Sequence, residues 1–222
     1  MKSSKRMYMG SVLIHCLKEV NPLNNSRSCW AFLTVATVEG INQIVTSTLT
    51  ESSEQELIDC DTTYNNGCNG GLMDCTFAFV VSNGGHHKED DYPYLMEEGT
   101  STDFRMYPRC TISSYHDVPR NDEQSIFKAL ANQPFSVAIK ASARDFQFNR
   151  GGVFDGHCGA QLDHRVAAVG YGTTNGLDYI LVKNSWGEEW GEKGYIRMKG
   201  NAGEPEGLSS INRMASFPTK TR

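Results

Sequence analysis

The sequence predicts an α+β fold with a helical N-terminal half and a strand-rich C-terminal half. Helical periodicity and capping signals dominate the first half, and after about residue 131 they give way to short apolar runs typical of strands. The chain has 222 residues, of which 39% are hydrophobic and 21% charged. It is therefore long enough to bury a sizeable core, as one domain or as two closely packed ones.

Helix signals occur at intervals through the first 131 residues. The predicted helices cover residues 28–40, a short segment after Ser53, residues 72–82 and residues 121–131. Residues 28–40 are apolar nearly all round, which is typical of a buried central helix. Ser53 and Glu56 form a capping-box pattern that starts the second helix. Gly84 is a stop signal after the third helix, and Asn121 has the residue type of an N-cap for the fourth.

Strand signals fill the second half of the chain. Strands are predicted at residues 135–139, 164–171, 178–182 and 194–198. We therefore divide the chain into an atypical N-terminal segment (1–20), a helical lobe (21–115) and a β-rich lobe (116–222).

Charge and hydropathy exclude several classes of protein. The net charge of −5 argues against a nucleic-acid-binding protein. No apolar run in the sequence approaches the roughly 18 residues that span a membrane. The histidines and cysteines do not show the spacing of metal ligands, so neither a metal nor another cofactor is predicted.

The N-terminus allows two interpretations. Lys2, Lys5 and Arg6 precede a moderately apolar stretch at residues 7–17, a pattern typical of a weak signal peptide but without a small-residue cleavage site. The alternative, which we favour, is a truncated or rearranged N-terminus.

The sequence around Cys29 gives the strongest indication of a reactive residue. It follows Ser28, a residue of the N-cap type, and begins an apolar run that continues with Trp30. A thiol at a helix N-terminus lies beside free backbone N–H groups and the positive end of the helix dipole, and both stabilise a thiolate. This position therefore predicts a nucleophilic cysteine.

Two segments far downstream complete a constellation with Cys29. His164 ends the run LDH and follows Cys29 by 135 residues, and Asn184 lies in the run KNSWG and follows it by 155. This order and spacing resemble the papain-like cysteine peptidases. The resemblance is also carried by residues 53–57 (SEQEL), 67–71 (GCNGG), 91–94 (DYPY), 151–154 (GGVF) and the Trp-Gly pairs at 186–187 and 190–191. It extends from about residue 20 to the C-terminus and is strongest to plant members, particularly the xylem cysteine peptidases.

The resemblance implies a papain-like two-lobed fold, with a helical N-terminal lobe, an antiparallel β-barrel-like C-terminal lobe and the active-site cleft between them. Cys29 is then expected on the helical wall of the cleft, and His164 and Asn184 on the β wall. The implied roles are that Cys29 attacks the scissile carbonyl as a thiolate, His164 protonates the leaving amine, and Asn184 orients the imidazole ring. Trp186 is expected to shield the hydrogen bond between His164 and Asn184 from water.

The resemblance also implies a set of substrate-binding residues: Gly70, Gly71, Leu72, Met73, Ala138, Leu162, Arg165, Trp186 and Met214. The specificity pocket is mostly apolar, and the implied preference is for a bulky apolar side chain two residues before the cleaved bond. Arg165 departs from the family, which has a small residue there. We expect Arg165 to occlude the pocket partly. The alternatives are that it attracts an acidic substrate side chain or extends to solvent.

The loop before Cys29 also departs from the family pattern. Six residues before its cysteine the family has a glutamine whose side chain donates to the oxyanion, and Leu23 stands at that position. Loss of one oxyanion donor costs about 10²–10³ in turnover, unless Asn24 or Asn25 takes its place. Arg27 stands where the family has a glycine that lets the substrate backbone approach closely. These departures predict a reduced activity.

The cysteines depart from the family as well. The seven in the chain are Cys16, Cys29, Cys60, Cys68, Cys75, Cys110 and Cys158. The family has three disulfides, and each has one half replaced by serine here, in the pairs Cys60 with Ser101, Cys68 with Ser26 and Cys158 with Ser209. A native disulfide contributes about 2–5 kcal/mol to the stability of a small secreted domain. The alternatives are a replacement bridge between Cys60 and Cys110, or a reducing compartment in which no bridge forms.

These observations leave three functions open. The first is a cysteine endopeptidase that hydrolyses peptide bonds through a thioester on Cys29, with reduced activity. The second is a non-catalytic binding or decoy protein that retains the cleft, and the third is a degenerate product with little stable structure. We favour the first. Its expected partners are protein or peptide substrates and cystatin-type inhibitors, its expected state is a monomer, and family analogy suggests a vacuolar, lysosomal or secreted setting.

Overall fold

A computed structural model of the protein describes residues 28–101, 109–156 and 158–221. The predictions made for the N-terminal segment and for Cys16, Leu23, Asn24, Asn25, Ser26 and Arg27 lie outside the described residues. Within the described residues, no helix is long and apolar enough to cross a membrane.

The helices lie mainly in the first half of the chain, as predicted. They are α1 (Cys29–Thr46), α2 (Glu54–Cys60), α3 (Met73–Ser82), α4 (Glu123–Leu130) and the short α5 (Arg144–Gln147). The helix α1 is buried on nearly every face between Trp30 and Asn42. It continues past Gly40, where the prediction ended it. A Cβ at Gly40 would lie 2.9 Å from the Cγ of Pro134, so this glycine permits close packing and does not end the helix.

The helix N-termini show which capping predictions hold. The Ser53 side chain accepts a hydrogen bond from the Glu56 N–H at 3.0 Å, as predicted. The Glu56 carboxylate does not complete the capping box but accepts from the His87 N–H at 2.6 Å. At α1, Ser28 stands at the N-cap position without a capping hydrogen bond from its side chain to the helix.

The N-cap of α4 is Asp122, so the prediction of Asn121 was wrong. The Asp122 carboxylate accepts from the backbone N–H of Ser125 at 3.2 Å and from its hydroxyl at 2.6 Å. Asn121 has a left-handed backbone with φ 60°, and its N–H donates to the Asn212 carbonyl at 2.6 Å. Contact with a remote loop therefore determines the conformation of Asn121.

The strands form a two-stranded and a seven-stranded sheet within the described residues. They are β1 (His86–His87), β2 (Arg109–Cys110), β3 (Ser114–Asp117), β4 (Phe135–Ile139), β5 (Val153–Phe154), β6 (His164–Thr174), β7 (Leu177–Lys183), β8 (Tyr195–Lys199) and β9 (Ala215–Thr219). The large sheet has the order β3-β9-β4-β6-β7-β8-β5 and is antiparallel except between β5 and β8. The predicted strands correspond to β4, β6, β7 and β8, and the remaining strands were missed.

Hydrophobic side chains pack in separate clusters on either side of a shared interface. One cluster fills the sheet between residues 118 and 215, and another joins α1, α2 and α3. A third connects α1 to β6 through Phe32, Leu33, Ala36, Ala167 and Val169. The helix that begins at Cys29 therefore packs directly against the strand that begins at His164. The boundary drawn between the lobes at residues 115 and 116 remains a prediction.

Candidate active site

Cys29 is the first residue of α1. The residues that follow it in the helix are buried, and their packing fixes the backbone at Cys29. The thiol is half-buried and interacts with the side chain of His164 and with the backbone N–H of Arg165. Both partners belong to the start of β6, which packs against α1. The structure thus brings Cys29 and His164 together across the interface between the helices and the sheet.

Asn184 holds the other side of the His164 ring. The Nε2 of His164 lies 2.8 Å from the Oδ1 of Asn184. The same oxygen accepts from the Ser185 N–H at 2.8 Å, and the Asn184 backbone N–H donates to the Gly194 carbonyl at 2.9 Å. Asn184 is completely buried. This arrangement makes Asn184 a positioning residue, because it orients the imidazole towards Cys29.

The electrostatics of Cys29 and His164 favour an ion pair. Burial alone raises the pKa of the Cys29 thiol, but the hydrogen bond and the attraction to His164 lower it overall. Burial likewise lowers the pKa of His164, but its interactions with Cys29, Asn184 and Asp163 raise it overall. A thiolate beside an imidazolium is the reactive form of such a pair.

Asp163 supports His164 from the preceding position without contacting the thiol. Its carboxylate accepts from the Ala141 N–H and from the Lys140 ammonium, each at 2.7 Å. Burial raises the pKa of Asp163, but its interactions with Ala141, Lys140 and Ser142 outweigh burial and lower that pKa overall. The resulting negative charge favours the protonated form of His164.

Trp186 covers the imidazole. Its ring stacks on that of His164, with a centroid separation of 5.0 Å and an interplanar angle of 24°. Phe146 and Trp190 contact Trp186 edge-on from behind, at 5.8 Å and 5.2 Å. The aromatic cluster therefore lies where it can limit the access of water to the hydrogen bond between His164 and Asn184, as the sequence analysis expected.

Gly70 and Gly71 form the opposite wall of the cleft. A Cβ at Gly71 would lie 2.6 Å from the Trp30 ring and 2.7 Å from the Asn65 side chain, so no larger residue fits. Asn65 also accepts from the Leu72 N–H at 2.7 Å, and the Trp30 ring N–H donates to the Gly67 carbonyl at 3.0 Å. This wall is consequently held from both sides by buried side chains.

A cavity of about 300 Å³ lies between these walls. It is lined by Cys29, Trp30, Asn69, Gly70, Gly71, Asp163, His164, Arg165, Ser185 and Trp186. Five predicted binding residues do not line this cavity. Met73 and Ala138 are buried in the hydrophobic cluster of the helices, Leu162 and Met214 pack against that cluster, and Leu72 is exposed. Sequence reasoning missed Trp30, Asn69, Asp163 and Ser185 as lining residues, although each lies in or beside a motif that it used.

The cysteines outside the cleft are unpaired in the described residues. Cys60, Cys68, Cys75, Cys110 and Cys158 all carry free thiols. The Cys60 sulfur accepts from the hydroxyl of Ser101 at 2.6 Å, whereas the Cys110 thiol interacts with Ser52. The replacement bridge between Cys60 and Cys110 is therefore not formed, because each sulfur has a different neighbour.

Comparison with known proteins places this geometry in context. Residues 14–219 match the sequence profile described as papain family cysteine protease. The chain is 66% identical over 205 residues to cysteine protease XCP2 of Arabidopsis thaliana, and the match covers 92% of the chain and 58% of that relative. It is 54% identical to cysteine proteinase RD21A of the same plant, covering 91% of the chain and 44% of the relative. The chain thus spans about half the length of the curated relatives it matches, and the expected similarity to xylem-type plant peptidases is confirmed.

Solved structures confirm the predicted two-lobed α+β fold. The bromelain protease from Ananas comosus, solved with the E64 inhibitor, superimposes with a TM-score of 0.87 at 40% identity and covers 94% of this chain and 95% of that one. The Carica candamarcensis cysteine protease CMS1MS2, in complex with E-64, gives a TM-score of 0.84 at 44% identity, with 90% and 91% covered.

Proposed function

The chain belongs to the papain family of cysteine proteases, and from this membership we propose that it is an endopeptidase of reduced activity that acts through Cys29. The observation that carries the proposal is the coupled pair of Cys29 and His164, whose ring is held by Asn184 at 2.8 Å. This arrangement supplies a nucleophile, a proton donor and a residue that positions the donor.

The reaction follows from the protonation states of the pair. The Cys29 thiolate attacks the carbonyl carbon of the scissile peptide bond, and the electron pair of the C=O bond moves to oxygen. When the tetrahedral species collapses, the C–N bond breaks, and the His164 imidazolium gives its proton to the leaving amine. The acyl group remains on Cys29 as a thioester. Neutral His164 then takes a proton from water, whose oxygen attacks the thioester and releases the acid, and the thiolate and imidazolium are restored.

The reduction in activity rests on the residues before Cys29. The backbone N–H at the start of α1 can donate to the oxyanion, but Leu23 has no second donor to offer in place of the family's glutamine. We expect Leu23→Gln to raise kcat well above tenfold, since one such donor contributes about 10²–10³. Unchanged turnover in Leu23→Gln would contradict the idea that Leu23 limits the reaction.

The proposed partners and setting follow from the family. The chain is proposed to act on proteins or peptides as a monomer, to bind cystatin-type inhibitors, and to work in a vacuole, in a lysosome or outside the cell. A second candidate function is a binding or decoy protein that keeps the cleft without turnover, and it is favoured by Leu23, Arg27 and Arg165, all of which depart from the family pattern.

Labelling with an epoxysuccinyl peptide tests the proposal and separates the two functions. E-64, the inhibitor present in the similar Carica structure, is incubated with the purified protein, and the product is measured by intact mass. One equivalent bound to the protein, and none to Cys29→Ala, is the expected result. Absence of labelling in a sample that still unfolds cooperatively would favour the binding protein over the peptidase.

A further inference from the structure

We propose that Arg165 makes this cleft selective for an acidic substrate side chain, which enters the cavity beside Cys29 and pairs with the guanidinium. The inference deepens the proposed function and rests on it for the identity of the ligand as a peptide. It reverses the family's apolar preference and differs from the partial occlusion expected from the sequence.

The position of Arg165 on β6 directs its side chain to the interface between sheet and helices. Side chains alternate along a strand. Val166 and Ala168 pack in the core of the sheet, whereas Ala167 packs against α1. Arg165 therefore shares the α1 side with Ala167, and its register partner on β4 is Ala138, which packs in the helical cluster. A long cation thus projects into a region otherwise built from small and apolar residues.

The guanidinium of Arg165 forms no direct ion pair with a carboxylate of the described residues. Its Nε is buried and without a hydrogen-bond partner, and Arg165 forms no ion pair with any carboxylate in the part of the chain that the structure describes. The other charges of the cleft are already compensated. Arg165 attracts the Cys29 thiolate, but His164 is the side chain that forms a hydrogen bond with that thiolate, and Asp163 is paired with Lys140. The cavity therefore carries the positive charge of Arg165 in excess.

Asp74 is the acidic group behind this wall that interacts with Arg165. It lies in the first turn of α3, and burial raises its pKa more than Ser216 and Arg165 lower it. One of its carboxylate oxygens is itself buried without a partner in the described residues. Asp74 therefore attracts Arg165 without forming a direct ion pair with it in the described residues.

A partly buried, unpaired cation favours an anionic ligand. An apolar side chain in the cavity would cover the guanidinium and remove its water without replacing the lost hydrogen bonds. A carboxylate would accept from the planar fork of donors in a charge-assisted pair. Arg165 lines the cavity of about 300 Å³ beside Cys29, so a carboxylate of a peptide bound there can reach the guanidinium.

Binding of matched peptides to Cys29→Ala tests this inference independently of catalysis. Three acyl peptides differ only at the second residue before the bond to be cleaved, which is Glu, Gln or Leu, and each Kd is measured by calorimetry. We expect Glu to bind about tenfold or more tightly than Gln, and the ratio to shrink at high salt. Addition of Arg165→Gln should bring the ratio close to one, and Arg165→Lys should keep part of it.

Arg213→Gln is the matched control, because the Arg213 guanidinium donates to the Ala160 carbonyl and does not line the cavity. It should leave the preference for Glu intact. Equal binding of the three peptides, binding of none, or a preference for Leu that survives Arg165→Gln would overturn the inference. If the Glu peptide binds preferentially while an epoxysuccinyl probe that carries Glu in place of the leucine of E-64 never labels Cys29, the proposed peptidase activity fails and the specificity of the cleft stands.

Discussion

The hydroxyl of Ser101 lies 2.6 Å from the sulfur of Cys60. The family resemblance places the second half of a disulfide at Ser101, so the bond has been lost while the two side chains still meet. At a second lost bridge, Ser209 lies near enough to Cys158 to lower the pKa of its thiol, although burial raises that pKa overall, and the Ser209 hydroxyl forms no hydrogen bond in the described residues. The fold therefore keeps these positions together without the covalent links.

Ser101→Cys is expected to form a disulfide with Cys60 under oxidising conditions. The bond would constrain the unfolded chain between the two positions, and the free energy of unfolding should rise by about 2–4 kcal/mol. Urea unfolding with and without reductant, together with a count of free thiols, measures the effect. The control is Ser114→Cys, since Ser114 is an exposed residue of β3 and should gain no reductant-sensitive stability. Equal stability of Ser101→Cys in both conditions would count against the prediction.

His86 should make the protein less stable in acid. It is fully buried, and burial together with the charges of His87 and Arg109 lowers its pKa from 6.5 to about 3. Below pH 6.5 the unfolded chain binds a proton at His86, whereas the folded protein does not until about pH 3. The free energy of unfolding therefore falls across this window, by up to about 5 kcal/mol from this group.

Urea unfolding between pH 7 and pH 4 measures that loss. Neither ring nitrogen of His86 has a hydrogen-bond partner in the described residues, so His86→Leu removes the titration without breaking a hydrogen bond and should flatten the profile. His116→Gln is the control, because His116 is exposed on β3. An unchanged pH profile in His86→Leu would show that another group causes the acid sensitivity.

Asp163→Asn should shift the alkaline limit of activity to lower pH. The negative charge of Asp163 helps raise the pKa of His164, so its removal lowers that pKa and the imidazolium loses its proton earlier. The pH dependence of kcat/KM, or of the rate of E-64 labelling, measures the shift. Asp155→Asn changes an exposed carboxylate that pairs with Lys199 at 3.7 Å and should leave the limit in place. A shift to higher pH in Asp163→Asn would refute the argument.

Asn184→Ala should lower kcat by about 10²-fold while KM changes little. The ring of His164 would lose the acceptor at 2.8 Å that orients it, whereas the residues that line the cavity would remain. Steady-state kinetics on a peptide substrate separates the two constants. Asn132→Ala, which removes an exposed amide that donates to the Lys128 carbonyl, serves as the control. A rise in KM with kcat preserved would mean that Asn184 acts in binding.

Local sequence signals predict most of the helices and the inner strands of the sheet. The strand β4 has the predicted bounds, and Ser53 caps α2 as predicted. The strands β3 and β9 were missed, because they become strands by pairing with each other and, for β9, with β4. Asn121 shows the same limit, since a remote carbonyl takes its N–H and leaves Asp122 to cap the helix.

The sequence by itself determined which residues can do the chemistry, because a nucleophilic thiol, an imidazole and an amide partner need particular residue types with recognisable flanks. Cys29, His164 and Asn184 were predicted in this way. Only the tertiary structure decided how the cleft is lined. Leu72 and Met214 do not line the cavity, whereas Arg165 lines it with a buried Nε that has no hydrogen-bond partner in the described residues. The physical reason is that burial and charge compensation depend on packing between α1 and β6, which join residues far apart in the chain and leave no local pattern.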